Sequence, residues 1–283
     1  DVVLSNYASG KQTFIIPLTF PNIPDAKDII TRIGYGGDVW EMRVDLLSPD
    51  PKPLGDVNTP PLDYVKDQVQ ALQAMSSLPI LFTIRTRSQG GKFPDTAEKE
   101  ALDLLHLAIE LEIAYIDVEI EWSKELIRDV STKKGSTRAV ASYHNWTGKV
   151  SWASQELMDK FDAANSFGDI VKLSIRSADI EACYKLALFA RNHRRRGGKP
   201  LLAVGMGPNG QLSRITSQIS LVTHPLIPFP SAPGQLGLAQ VHQGRHLIGQ
   251  LLKKRIGVSG DSAVAEKVVR GLQAAFIELG YPH

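Results

Sequence analysis

Cysteine is nearly absent: Cys183 is the single one in 283 residues. No disulfide framework can form, which fits a reducing compartment such as the cytosol or nucleus. A surplus of charge is lacking too. The net charge of +2 is too small to mark a nucleic-acid binder. The one basic run, His193-Arg194-Arg195-Arg196, adjoins Gly197-Gly198 and reads as a solvated helix end, where the macrodipole favours cations. No apolar run comes near the roughly 20 residues of a membrane helix, so no membrane association is expected. Asp1-Val2-Val3-Leu4-Ser5 has no Met, basic stretch or long apolar core, so it does not read as a signal peptide. A chain that opens this way reads as excised from a longer protein. His, Cys, Asp and Glu show no metal-ligand spacing, and no metal or nucleotide cofactor is expected.

What is present is alternation. Short β-branched runs at 13–20, 39–47, 79–86, 114–120, 138–145, 169–175, 201–207 and 219–224 are each followed by a stretch of helical periodicity. Those stretches lie near 24–34, 61–76, 95–111, 123–132, 154–166, 177–195, a short 211–217, and 238–254. Eight such units over about 250 residues predict a closed (β/α)8 barrel, a TIM barrel, of class α/β. The rival, an open doubly wound sheet, would carry a Gly-rich turn after its first strand. Here Phe20 is followed by Pro21-Asn22-Ile23-Pro24, and the GxGxxG-like Gly205-Met206-Gly207-Pro208-Asn209-Gly210 comes only after the seventh strand.

Chemistry in such a barrel sits at the C-terminal ends of the strands. Charged or titratable residues interrupt five consecutive strands there: Glu41, Arg43 and Asp45; Arg85; Asp117 and Glu119; His144; and Lys172. Arg214 follows the seventh strand, and Ser231-Ala232-Pro233-Gly234-Gln235 forms a loop after the eighth. Taken singly, each has a plain structural reading. Lys172 would pair with Glu41 or Glu119, His144 would be a satisfied core histidine, and Asp45 and Asp117 would hold arginines. Their convergence on one barrel end predicts a site. A lysine among cations and apolar walls is nucleophilic toward a ketone. His144, on the neighbouring strand, suits proton transfer. Arg43, Arg85 and Arg214 suit a carboxylate and hydroxyls, and the 231–235 loop suits a lid. The predicted reaction class is imine-assisted β-elimination of water.

Six segments in order carry a family resemblance. They are Glu41-x-Arg43-x-Asp45, Thr83-Ile84-Arg85-Thr86, Ser142-Tyr143-His144, Val171-Lys172-Leu173, Met206-Gly207-x-x-Gly210-x-x-Ser213-Arg214 and Ser231-Ala232-Pro233-Gly234-Gln235. Over about 13–255 the chain resembles type I 3-dehydroquinate dehydratase. By that resemblance Lys172 forms the imine, His144 is the acid/base, and Arg214 binds the substrate carboxylate. Glu41, Arg43, Arg85, Ser231 and Gln235 hold hydroxyls and the lid. The segments at 88–95 and 223–229 resemble the dehydratase domain of the fungal pentafunctional shikimate-pathway polypeptide. Gln89 stands where bacterial members have a glutamate near the histidine. Asn145 replaces an aspartate, which is expected to weaken support for an imidazolium, and Gly237 replaces a serine common after the lid.

Residues 256–283 are expected to open a second domain, with a short strand at 256–260 and a helix over 262–279. They resemble the start of a shikimate dehydrogenase. Glu266 and Val268 fall where that family binds shikimate with two serines, so this domain reads as degenerate. The combination resembles a fungal quinate-pathway repressor, a nuclear sensor of 3-dehydroquinate, quinate or 3-dehydroshikimate acting on an activator protein. The alternative is a working dehydratase inside the multifunctional enzyme. The family also implies a homodimer.

Overall fold

The computed structural model describes residues 1–50, 55–253 and 256–282. Eight strands run parallel: β1 (Thr13–Leu18), β2 (Val39–Arg43), β3 (Ile80–Thr83), β4 (Tyr115–Glu119), β5 (Arg138–Asn145), β6 (Ile170–Arg176), β7 (Leu201–Met206) and β8 (Ile219–Leu221). Each strand through β7 pairs with its sequence neighbours, and β8 pairs with β1 through Thr13↔Ile219 to Ile15↔Leu221. The sheet is therefore a nearly closed (β/α)8 barrel. Among the described residues, β7 and β8 share no ladder. Side chains from the helix between them serve that edge instead. Gly205 N donates to Ser213 Oγ at 3.0 Å, and Ser217 Oγ donates to Ala203 O at 3.3 Å.

Strand parity explains the interior. Side chains alternate faces, so one inward residue per strand forms a layer. Ile15, Val39, Leu81, Tyr115, Val140, Ile170, Leu202 and Ile219 line the lowest layer, closed beneath by Val3. Two residues further along, the inward positions include Glu41, Thr83, Asp117, Ser142 and Lys172; two further again come Arg43, Arg85, Glu119, His144 and Ser174. The floor is apolar and the upper layers are polar. Outward residues such as Trp40, Met42, Phe82 and Ile116 pack on the surrounding helices, each contributing roughly 1.5–3 kcal/mol by burial.

The helices are α1 (Val2–Ser9), α2 (Lys27–Ile33), α3 (Leu62–Met75), α4 (Glu98–Glu110), α5 (Lys124–Lys133), α6 (Gln155–Phe167), α7 (Glu181–Arg195), α8 (Gln211–Thr216), α9 (Leu238–Leu247) and α10 (Ser262–Leu279). None of the described helices is long and apolar enough to cross a membrane. Four features depart from the sequence reading. Helix α1 was not expected. Asp1 caps it by accepting from Leu4 N at 3.1 Å, and Tyr115 Oη donates to Asp1 at 2.6 Å, which seats the helix under the barrel. The run at 39–47 leaves the strand at Val44, where Val44–Leu46 forms a 3-10 turn. Helix α9 stops at Leu247, short of the expected end at 254, a residue outside those described. The segment 256–260 is not a strand, and among the described residues no strand pairs with it. Residue 255, where the expected domain boundary falls, and His283 also lie outside the described residues. Helix α10 has the expected bounds and buries none of its residues. Its end is fastened to α9, where His242 Nδ1 donates to Leu279 O at 2.6 Å and the His242 and Tyr281 rings stack at 4.2 Å.

Candidate active site

The upper barrel layers hold an ionic chain, Glu41–Lys172–Asp117–Arg85–Glu119, and beside it the pair Arg43–Asp45. Arg43 grips Asp45 with two hydrogen bonds of 2.8 and 2.7 Å. Arg85 spans Asp117 and Glu119, both at 2.7 Å. Lys172 Nζ donates to Glu41 at 2.8 Å and to Asp117 at 3.0 Å. Hydroxyls fill the remaining lone pairs: Thr83 on Glu41, Ser142 on Asp117 and Thr86 on Glu119. All of these groups are buried. Burial pushes the Asp117 carboxyl up, but Arg85 and Lys172 outweigh it and hold the group at about 2. For Glu119, burial outweighs Arg85 and the carboxyl sits above its ordinary value.

Two expectations change here. Lys172 is not ringed by cations and apolar walls; its nearest partners are two carboxylates. Glu119, the other carboxylate proposed for it, belongs to Arg85. Arg43 and Arg85 line the cavity, but Asp45, Asp117 and Glu119 occupy their guanidinium groups. A buried arginine held so tightly by carboxylates is not open to a carboxylate of the substrate.

Arg214 is the contrast. It is 2% exposed. Among the described residues its side chain makes one hydrogen bond, from Nη2 to Pro233 O at 3.3 Å, and its Nε has no partner. Among the described residues it makes no ion pair. Burial lowers its guanidinium to about 10, which leaves it charged at neutral pH. A buried cation without a counter-ion is costly.

His144 is partly buried at the cavity wall. Burial, then Arg85, Lys172 and Arg43, hold its imidazole well below the ordinary value, so the ring is neutral at pH 7. Its Nδ1 lies 2.9 Å from Gln89 Oε1. Asn145 plays a different part from the one expected. Strand parity turns it away from His144; its amide donates to Tyr143 Oη at 3.1 Å and its oxygen accepts from Thr147. The residue at 145 therefore does not touch the imidazole.

The loop at 231–235 is closed. Gln235 Oε1 accepts from Ser231 N and Oγ at 2.9 and 3.2 Å. Gly207 N donates to Pro233 O at 3.0 Å. Gly234, at φ +74°, sits so near Gly207 that a Cβ would lie 2.2 Å from its carbonyl oxygen. Ser231 reaches the cavity wall beside Glu41, His144, Lys172 and Arg214, whereas Gln235 braces the loop from behind. The cavity beneath the loop measures about 40 Å³ and is partly open, room for water-sized occupants. Gly237 caps α9 without a side chain; its N–H donates to Gln240 Oε1 at 2.8 Å. Ser174 and Trp146 also line the cavity. Sequence reasoning missed both, though each lies two residues past a predicted site residue and strand parity marks it. Among the described residues no group of three His, Cys, Asp or Glu side chains gathers as a metal site.

Comparison with known proteins agrees with this geometry. Residues 14–252 match the type I 3-dehydroquinase family. The chain is 38% identical over 285 aligned positions to the pentafunctional AROM polypeptide of Mycosarcoma maydis, covering all of this chain and 17% of that protein. Among solved structures, the dehydroquinate dehydratase and shikimate dehydrogenase from S. pombe AroM superposes with TM-score 0.91 at 35% identity. That match covers 99% of this chain and 53% of the other. The 3-dehydroquinate dehydratase of Geobacillus kaustophilus, at 21% identity and TM-score 0.72, covers 84% of this chain and 91% of its own, and shares the fold. The chain thus spans about half or less of its fungal relatives' length. With the strand-end residues of the sequence gathered in one barrel mouth and 239 residues matched by family, the chain belongs to the type I 3-dehydroquinases.

Proposed function

We propose that this chain dehydrates 3-dehydroquinate to 3-dehydroshikimate through an imine on Lys172. The observation that carries the reading is Arg214, a buried cation without a counter-ion, in the same cavity as a lysine amine and a neutral imidazole. The substrate carboxylate supplies the missing anion. His144, neutral at the start, takes one proton from the Lys172 ammonium; the freed amine adds to the ketone, and that proton leaves with the carbonyl oxygen as water when the iminium forms. Glu41 and Asp117, already on the amine, hold the iminium N–H. His144 takes the acidified α-proton and returns it to the departing β-hydroxyl, so one water is eliminated and the ring is neutral again. Hydrolysis of the iminium restores the amine. Arg43, Arg85, Ser231 and Gln235 shape the walls and the lid.

The test is direct. Given 3-dehydroquinate, the protein produces enone absorbance, and borohydride added during turnover traps a covalent adduct on Lys172. Calorimetric binding without trapping would sink the imine. Binding without turnover would instead support the regulatory reading, the quinate-pathway repressor. The family match and the S. pombe relative that is a dehydroquinate dehydratase by name support the catalytic reading. The stretch after 255 is proposed as the opening of a further domain.

A further inference from the structure

The basic run at 193–196 has no part in the site above, and the fold gives two of its arginines a setting. Helix α8 holds 6 residues, about 9 Å of helix against the roughly 20 Å length of β7. It cannot cover the outer face of that strand, and β8 forms no ladder with β7. A partly open groove of about 690 Å³ remains there. One wall is a stripe of α7: Leu186, Ala187, Ala190, Arg191, Arg194 and Arg195, spaced so that they share a helix face. The floor is Leu201 and Ala203, outward residues of β7 whose neighbours Leu202 and Val204 belong to the barrel interior. The far wall is the end of α8 with Gln218 and Tyr7. It is held in place: Gln218 Nε2 donates to Tyr7 O at 2.9 Å, and Ser217 Oγ donates to Ala203 O at 3.3 Å.

The groove is one-sided in charge. No Asp or Glu lines it. Among the described residues Arg191, Arg194 and Arg195 make no ion pair, whereas Arg32, Arg138 and Arg270 on the surface each meet a carboxylate. The Arg194 guanidinium lies instead over the Tyr7 ring, 5.8 Å from its centroid. The helix dipole favours cations in the last turn of α7, but Arg191 precedes that turn, and a dipole does not choose a side of the helix. Three guanidinium groups offer more N–H donors than the two oxygens of a carboxylate take up. A phosphate monoester brings three terminal oxygens and nearly two negative charges. The other half of the stripe is apolar, and its alanines leave room above the floor. The matching ligand is anionic at one end and apolar at the other, and the volume is that of a small-molecule site, roughly 300–1,000 Å³.

We propose that this groove is a second binding site, one for a small phosphate monoester with an apolar body. The phosphate lies on Arg191, Arg194 and Arg195, and the body on Ala187, Ala190 and Ala203. The groove shares no lining residue with the cavity of Lys172 and His144, so the proposal does not rest on the dehydratase reading. Titration calorimetry on the full chain tests it with 1-naphthyl phosphate as the probe, and with inorganic phosphate and 1-naphthol as its two halves. The expected result is binding of the probe with Kd below about 1 mM, at least about tenfold tighter than either half. Arg191→Gln combined with Arg195→Gln weakens it on the order of 10- to 100-fold, the usual worth of a charge-assisted hydrogen bond. Ala187→Phe fills the groove from an exposed helix position and weakens binding as much. Arg214→Met leaves it within about threefold, as expected of an independent site. No binding to the wild type overturns the proposal, as does undiminished binding to the double arginine variant. Inorganic phosphate binding as tightly as the probe would remove the apolar half of the site. Loss in Arg214→Met alone would place the probe in the barrel mouth instead. A dimer in solution that Ala187→Phe splits into monomers would assign the groove to a second copy of this chain.

Discussion

Lys172 and Arg214 are both buried cations in one cavity, and they predict opposite responses to removal. Lys172 neutralises Glu41 and shares Asp117 with Arg85. Lys172→Met strands a buried carboxylate, so stability falls by about 3 kcal/mol, and adding Glu41→Gln recovers part of it. Arg214 has no carboxylate to strand. Arg214→Met leaves the denaturation midpoint unchanged or raised while 3-dehydroquinate binding weakens roughly 100-fold, the value of about 2.7 kcal/mol in a charge-assisted contact. Denaturant titration and calorimetry on both variants check this; a large destabilisation by Arg214→Met would mean that it has a structural counter-ion. Asp117 adds a pH dependence. Its carboxyl is held at about 2 against an ordinary value of 3.8. The folded state thus binds the proton less readily than the unfolded chain. The stability this contributes is complete above about 4 and is lost as pH falls toward about 2. Asp117→Asn flattens that stretch of a Tm-against-pH curve; an unchanged slope there contradicts the assignment.

At the scale of elements, β-strand parity did most of the work of assembling the site. Glu41 and Arg43, Asp117 and Glu119, and Ser142 and His144 each sit two apart on one strand and so share a face. The same rule separates His144 from Asn145, which is why the expected effect of position 145 on the imidazole does not arise. Helix ends carry a smaller test. Gly237 begins α9 at φ −70° and ψ 155°, a conformation open to any residue, and a Cβ there meets no atom nearer than 3.5 Å. Gly237→Ser supplies the missing capping oxygen and stiffens the unfolded chain, for a gain of about 0.5–1 kcal/mol. A guanidinium unfolding series measures it, and a loss of stability would show that the added hydroxyl collides with Thr223 or Gln240.

Over the whole molecule, the barrel has a seam and a lid on the same side. β7 and β8 lack a ladder, and α8 fills the gap, so Arg214 on α8 stands beside the open edge. The loop after β8 then folds back onto Gly207 at the end of β7. Gly234 is the contact: neither its φ of +74° nor the Gly207 carbonyl leaves room for a side chain. Gly234→Ala holds the loop open. The expected outcome is a marked loss of kcat with Tm shifted by only a few degrees, since the closed loop covers a cavity rather than a core. Full activity in this variant would show that closure on Gly207 is not part of turnover.

The sequence by itself determined the barrel, and it predicted the end proposed to carry chemistry, with Lys172, His144 and Arg214 as candidates. These follow from local rules of alternation, period and spacing, which a linear chain displays. Only the tertiary structure decided how the charges pair. That Arg43 and Arg85 are occupied, that Lys172 rests on Glu41 and Asp117, and that Arg214 has no partner depend on which strands are neighbours and how their registers align. It also decided the contact of Gln89 with His144, 55 positions away, and the seating of α1 under the barrel. Eight residues hold too few helical turns to show a period, and their stability comes from Tyr115 and the floor of the barrel, contacts that exist only once the sheet has closed.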